Sequence, residues 1–451
     1  MTHTPAEKRL HATESWAAAV AGNLAVRLCG LIGGIFIARA LGPTGKGVIT
    51  SATIWPTVAL SVGAVINVQT VTYFTARQGE RGLQACLYLA IGFAVALLPA
   101  SLLLNWLGLG LTHRGSLRAA NAYALSVPFS VLAGVFSAAL LAEGRVVMYW
   151  LMKVIGAALL MVPIVVLALA GHLTVRVYVI AAIAGTAATA LLTAFAQRTT
   201  RVRLTKPDGA LAKSILSFGA KTTFTLVPYQ LNLRLDQLLM SAIAPLEVLG
   251  AYNVAFAWSS TLSMVGSGFS SVVLARSARI DPERTDDLHA AARTLRRAFI
   301  VLFLAGTIAA LVSPIAVPLL FGQDFRAGVT PAVILCVAAI PLYANLLLHE
   351  FLRGLGYPGL GGMPEMIGLV VSAVGLAVLF PRFGATGAAI ASLASYLIVM
   401  GTLVTRAVRR IPGFSAVWLV PRLGDLRAIV IAGAAFARRR TRSAFGHAVS
   451  R

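Results

Sequence analysis

Residues 16–38 read WAAAVAGNLAVRLCGLIGGIFIA, an apolar run whose one charge, Arg27, sits near its centre. At 1.5 Å of rise per residue, roughly 20 such residues cross the roughly 30 Å of hydrocarbon in a bilayer. A run of continuous rather than alternating hydrophobicity excludes a β-barrel strand, which leaves a helix as the spanning form that satisfies its own backbone. Arg27 poses a second question, because an arginine at mid-membrane costs about 3 kcal/mol on insertion scales and needs a partner, a cavity or an escape to the interface.

The pattern recurs along the chain. Twelve runs can be read, at about 16–38, 48–71, 83–106, 121–141, 149–170 and 177–196, then 214–243, 250–275, 299–321, 331–349, 366–380 and 385–404. With 58% hydrophobic and 12% charged residues, the 451-residue chain carries more apolar surface than a water-soluble core can hide. It is expected to be an all-α polytopic membrane protein of about 12 transmembrane helices.

Lys8, Arg9, Arg77, Arg81, Arg145, Lys153, the run Arg198, Arg201, Arg203, Lys206 and Lys213, and the basic residues of 276–297 fall before the first run or after even-numbered ones. The opposite loops hold Arg39, Lys46, Arg114, Arg118, Arg176, Arg326 and Arg382. Short loops rich in Lys and Arg stay inside, so both termini are expected in the cytoplasm of a multi-pass inner-membrane protein. The polar first fifteen residues and full-length first run predict a retained helix instead of a cleaved signal. The net charge of +23 is dispersed over these loops without a basic domain, which favours contact with anionic membrane lipids and argues against nucleic acid. Cys29, Cys86 and Cys336 lie inside runs without paired spacing, so they are expected to be packing residues, with no metal or cofactor.

The two halves repeat. GVITSA at 47–52 aligns with GAYNVA at 250–255, and LLAEGR at 140–145 with LRGLGY at 352–357. Halves of six runs keep the same orientation, so they are expected to be parallel repeats flanking a central cavity. The expected divisions are residues 1–213, a first six-helix lobe with its cytoplasmic linker, 214–410, a second six-helix lobe, and 411–451, a basic tail. Within the tail, 414–437 is apolar but interrupted by Pro421, Arg422, Asp425 and Arg427, which predicts a membrane-surface helix.

Polar residues inside the runs nominate the site. Asn23 lies one turn before Arg27, and Gly30 and Gly34 follow on neighbouring turns, a polar face suited to bordering a water-filled cavity. In the seventh run Lys221, Thr225, Pro228, Asn232 and Asp236 share one broad helical face. Lys221 could equally snorkel to the cytoplasmic surface. Arg234 and Asp236 point to nearly opposite sides of a regular helix and meet one cavity only if the helix is broken, which Pro228 permits. In the eighth run Asn253, Ser260, Ser263, Ser267 and Ser271 form a small-residue stripe, for which helix packing is the favoured role and lining a path the other. His349, Glu350 and Glu365 could carry protons or sodium, but Glu365 follows Pro364, a placement that favours surface capping. The glycine-rich stretch 354–362 lacks a lysine–serine ending and is expected to be a flexible connection.

Several segments together resemble the polysaccharide-transporter family of oligosaccharide-lipid flippases, in the multidrug/oligosaccharidyl-lipid/polysaccharide (MOP) exporter superfamily. They are IARALGPTGKG at 37–47, RLDQ at 234–237, LGAYNVA at 249–255, LFGQDF at 320–325, LRGLG at 352–356 and GATGAAIA at 384–391. The resemblance implies a MATE-like arrangement of two six-helix lobes around a cationic cavity that alternates its opening to move a lipid-linked glycan. Arg27, Arg234 and Lys221 would then neutralise diphosphate oxygens, helped by Asn23 and Asn232, and Asp236 would hold or release an arginine between states. The Arg-x-Asp pattern matches Arg234 and Asp236 directly and Arg27 only loosely, and cation coupling carries over to no residue. Glycan polymerases or synthases are possible partners. A MATE-type exporter of drugs or small metabolites is the alternative, although the first six runs lack the mid-membrane carboxylate it would use. An enzyme is disfavoured, since Glu247 and Asp324 stand isolated in short external loops.

Overall fold

Glycine and proline divide the apolar runs into helices, as seen in a computed structural model. It describes residues 5–63, 65–110, 112–197, 206–280, 285–420 and 424–425, with side chains except at 5–16, 224–226 and 285. The helices are α1 (Pro5–Gly63), α2 (Val68–Gln78), α3 (Glu80–Leu109), α4 (Arg114–Ala124), α5 (Ser126–Ala142), α6 (Val146–Leu169) and α7 (Val175–Ala196). The second half holds α8 (Gly209–Asn232), α9 (Leu235–Ile243), α10 (Leu246–Ser259), α11 (Ser263–Ser277), α12 (Thr285–Phe321), α13 (Val329–Gly354) and α14 (Gly362–Arg410). No strand occurs among the described residues.

Eight stretches among the described residues are long and apolar enough to cross a membrane. The first two runs of the sequence share one of these, Ala17–Gln78, and the last two share Pro358–Arg410. The backbone of α1 breaks at Gly42 (φ 65°) and that of α14 at Gly384 (φ 55°). The seventh and eighth runs lie in α8–α9 and α10–α11, which are polar or interrupted. The outer surface is apolar: Leu169, Leu191, Leu311 and Ile315 are each at least 70% exposed, an arrangement stable against lipid and not against water.

The sequence repeat is visible in the backbone. After α5, Arg145 N–H donates to Leu140 O (3.0 Å) and Gly144 N–H to Leu141 O (3.1 Å); after α13, Tyr357 N–H donates to Leu352 O (2.9 Å) and Gly356 N–H to Arg353 O (3.2 Å). Both are Schellman ends with glycine in the left-handed region. Where α1 meets α10 the repeat becomes reciprocal. A Cβ added to Gly47 would lie 1.8 Å from Leu246 O, and one added to Gly250 would lie 1.9 Å from Pro43 O. Each carbonyl belongs to the residue four before the opposite glycine, the relation expected across a two-fold axis.

Side-chain packing does not follow the expected boundary at 213/214. Leu211 and Ile215 both pack in the first-half core with Val71, Leu83 and Val135, while Ala38 of α1 packs in a core with Met240, Tyr252 and Phe321. Two connections carry local structure. Within the glycine-rich stretch, Pro358–Leu360 form a 3-10 turn with Leu360 buried. Beyond α14 the chain makes a 3-10 turn at Ala416–Leu419 docked on the bundle through Phe414 and Leu419. The remainder of the predicted tail helix, apart from 424–425, and the cluster Arg438, Arg439, Arg440 and Arg442 lie outside the described residues.

Candidate functional site

The central charge of the first run faces the second half of the chain. Arg27 Nε donates to Asn23 Oδ1 at 2.7 Å, one turn back on the same helix face, and its Nη1 donates to Ser263 Oγ at the start of α11. Asn23 and Arg27 line a cavity of about 370 Å³ together with Trp150 of α6 and Ser267 and Ser271 of α11. The serine stripe, for which packing was favoured, therefore lines this space in its second half. Steps of three or four residues serve either role, and it is the neighbour that decides.

The seventh run is broken, six residues beyond Pro228. Asn232 ends α8, Leu233 links, and Arg234 (φ −130°, ψ 0°) precedes α9. The break turns neighbouring polar residues in different directions. Arg234 is half-buried within electrostatic reach of Tyr123 near the end of α4. Asp236 is buried in the second half, accepting from Tyr252 Oη, from Ser392 Oγ at 3.2 Å and from Gln237 N–H at 2.7 Å. Among the described residues Arg234 and Asp236 form no ion pair. Lys221 is exposed on α8, and the side chain of Thr225 lies outside the described set. Of the six residues nominated from sequence, Asn23 and Arg27 share the cavity; Asn232 and Asp236 are held within the second half.

One group was not nominated from the sequence and another was placed wrongly. Arg39 donates to the carbonyls of Leu320 (2.8 Å) and Leu319 (2.5 Å), capping the C-terminal end of α12 from the first half of the chain. Its place in IARALGPTGKG was the available signal. Glu365, expected as a surface cap, is only 4% exposed. Its Oε1 lies 3.0 Å from His349 Nε2, and Oε2 accepts from Asn232 Nδ2 at 3.0 Å. Glu350 does sit with Arg353 near the surface.

Lipid-facing helices, broken runs carrying charge and a cationic side chain reaching across two repeated halves define a multi-pass membrane protein. Its fold is that of the MOP superfamily. A lipid II flippase, MurJ, in an inward closed conformation matches with a TM-score of 0.71 at 14% identity, covering 87% of each chain. An inward-facing MATE multidrug resistance transporter matches at 0.67 with 17% identity, covering 85% of this chain and 94% of that one. A MOP transporter from Pyrococcus furiosus, described by a reversed polarity of its binding pocket, matches at 0.56 with 17% identity, covering 88% and 95%. No curated protein sequence matches. The profile of the family described as polysaccharide biosynthesis protein matches residues 36–330, and the chain belongs to that family.

Proposed function

We propose that the protein is a flippase that moves a lipid-diphosphate-linked oligosaccharide across the cytoplasmic membrane for cell-surface polysaccharide synthesis, through twelve passes with both termini cytoplasmic. The observation that carries this reading is Arg27 bordering the cavity with Asn23 and three serines. A guanidinium binds diphosphate oxygens through strong, charge-assisted hydrogen bonds, and Asn23 fixes its orientation. Arg234, at the broken seventh run, supplies a second cation when the halves move, and Lys221 a third nearer the cytoplasm. The six runs of the first half hold no Asp or Glu, which disfavours a cationic drug as cargo.

The test is replacement of Arg27 or Arg234 by Ala in cells, scoring surface glycan and membrane abundance. Removing one charge-assisted hydrogen bond should reduce export about ten- to a hundredfold at unchanged abundance. Normal export from both variants would reject the diphosphate role, and degraded protein would reassign the arginines to the fold.

A further inference from the structure

We infer that the groove between α6 and α7 binds a phospholipid whose head group carries both a phosphate and a primary ammonium, a phosphatidylethanolamine. The groove holds about 600 Å³, within the roughly 300–1,000 Å³ of small-ligand sites, and has a charged end and an apolar length. At the charged end three helix ends meet: Glu143 follows α5, Arg145 precedes α6 and Ala196 ends α7. Arg145 Nη1 donates to Ala196 O at 3.1 Å and lies 3.4 Å from Glu143 Oε2. Met148, Met152 and Ile155, one stripe of α6, continue the groove, and Phe195 of α7, 60% exposed, lines it with them. From Arg145 to Ile155 the helix runs about 15 Å, the depth of one leaflet of an about 30 Å hydrocarbon core. An acyl chain lying on this stripe therefore reaches from head-group level to mid-bilayer, and flexible methionines adapt to its shape.

The fold does not require the two charges. Glu143 and Arg145 occupy the Schellman turn LLAEGR, and its repeat LRGLGY makes the same turn with Leu355 and Tyr357 in their places. Among the described residues Nε and Nη2 of Arg145 and Oε1 of Glu143 have no partner. The contact between the two side chains is long and partly exposed, at 36% and 29%, so opening it to a head group costs little. The Nε–Nη2 edge of Arg145 offers two parallel N–H groups to a phosphate, and Glu143 accepts from an ammonium two carbons further on. Phosphatidylglycerol would bring the same phosphate but no cation for Glu143, and a choline head group brings a cation without an N–H. Arg198, Arg201 and Arg203, which follow α7 in sequence, attract any anionic lipid, so the discrimination rests on Glu143. Trp150, on the opposite side of α6, lines the Arg27 cavity, so the groove is distinct from the cargo cavity and the two readings can fail separately.

The experiment is photocrosslinking of the full-length protein in phosphatidylcholine nanodiscs that contain a trace of phosphatidylethanolamine with a photoreactive acyl chain. Crosslinks mapped by peptide mass spectrometry should fall at residues 148–155 and 192–196. Replacing part of the bulk lipid by unlabelled phosphatidylethanolamine should suppress them about three- to tenfold more than the same fraction of phosphatidylglycerol, the range of one partly exposed charge-assisted hydrogen bond. Glu143→Gln, at an exposed position where the fold is not at stake, should erase that difference while the crosslinks stay in place. No crosslink at these segments, equal competition by the two lipids in the wild type, or a difference unchanged in Glu143→Gln would overturn the proposal.

Discussion

Arg27 is held in the membrane by two neutral acceptors, Asn23 on its own helix and Ser263 on α11, so its full charge remains for a ligand. Each acceptor orients the guanidinium without neutralising it. Asn23→Ala or Ser263→Ala should therefore weaken export more mildly than loss of Arg27, by about two- to tenfold, the range of a single neutral hydrogen bond, in the same surface-glycan assay. Asp425 offers a test in the tail. Hydrogen bonds from Arg296 Nε at 2.5 Å and Arg297 Nε at 3.3 Å hold its carboxyl below the usual carboxylate range. A depressed carboxylate stabilises docking above its unfolded pKa and loses that contribution as pH falls through its folded one. Proteolysis of the tail should thus stay slow at neutral and mildly acidic pH and accelerate only in strong acid, whereas Asp425→Asn should be cut rapidly throughout. At this scale Arg27 was legible because charge in an apolar run is costly wherever it folds. The burial of Glu365 was not: Pro364–Glu365 reads as a helix start, and the Asn232 that donates to it lies far away in sequence.

Between residues and molecule stand the helix breaks and the seam. The sequence placed a break in the seventh run at Pro228, whereas the backbone parts at Leu233 and Arg234. Proline removes a donor and permits a kink, but the polar partners of Asn232 and Asp236 fix where the helix yields. The matching glycines at 47 and 250 could be aligned from sequence, but their mutual approach required the fold. Gly47→Ala or Gly250→Ala would drive a methyl into an opposing carbonyl, an overpacking cost of about 1–3 kcal/mol against this closed arrangement. Ser51, fully buried one turn from Gly47, reports the result. In a background free of the three native cysteines, Ser51→Cys should react slowly with an impermeant maleimide and faster when either glycine is also Ala. An unchanged rate would mean that α1 and α10 remain together.

For the whole molecule, repeated apolar runs and dispersed positive charge led from sequence to a polytopic all-α bundle, because lipid imposes length and backbone satisfaction on every span. The side-chain cores, which join Leu211 and Ile215 to the first half and Ala38 to the second, were out of reach, since apolar periodicity does not name its partner. Under the proposed alternating access, halves joined at Gly47–Gly250 would expose the Arg27 cavity on one side at a time only if the packing at that seam is exchanged for another. The central claim is the cargo. Cells depleted of the protein should be analysed by mass spectrometry for lipid-linked intermediates, with the two leaflets separated by an impermeant probe. Accumulation of a complete diphosphate-linked oligosaccharide in the cytoplasmic leaflet is predicted; an unchanged amount and distribution would contradict the flippase and favour a small-molecule exporter.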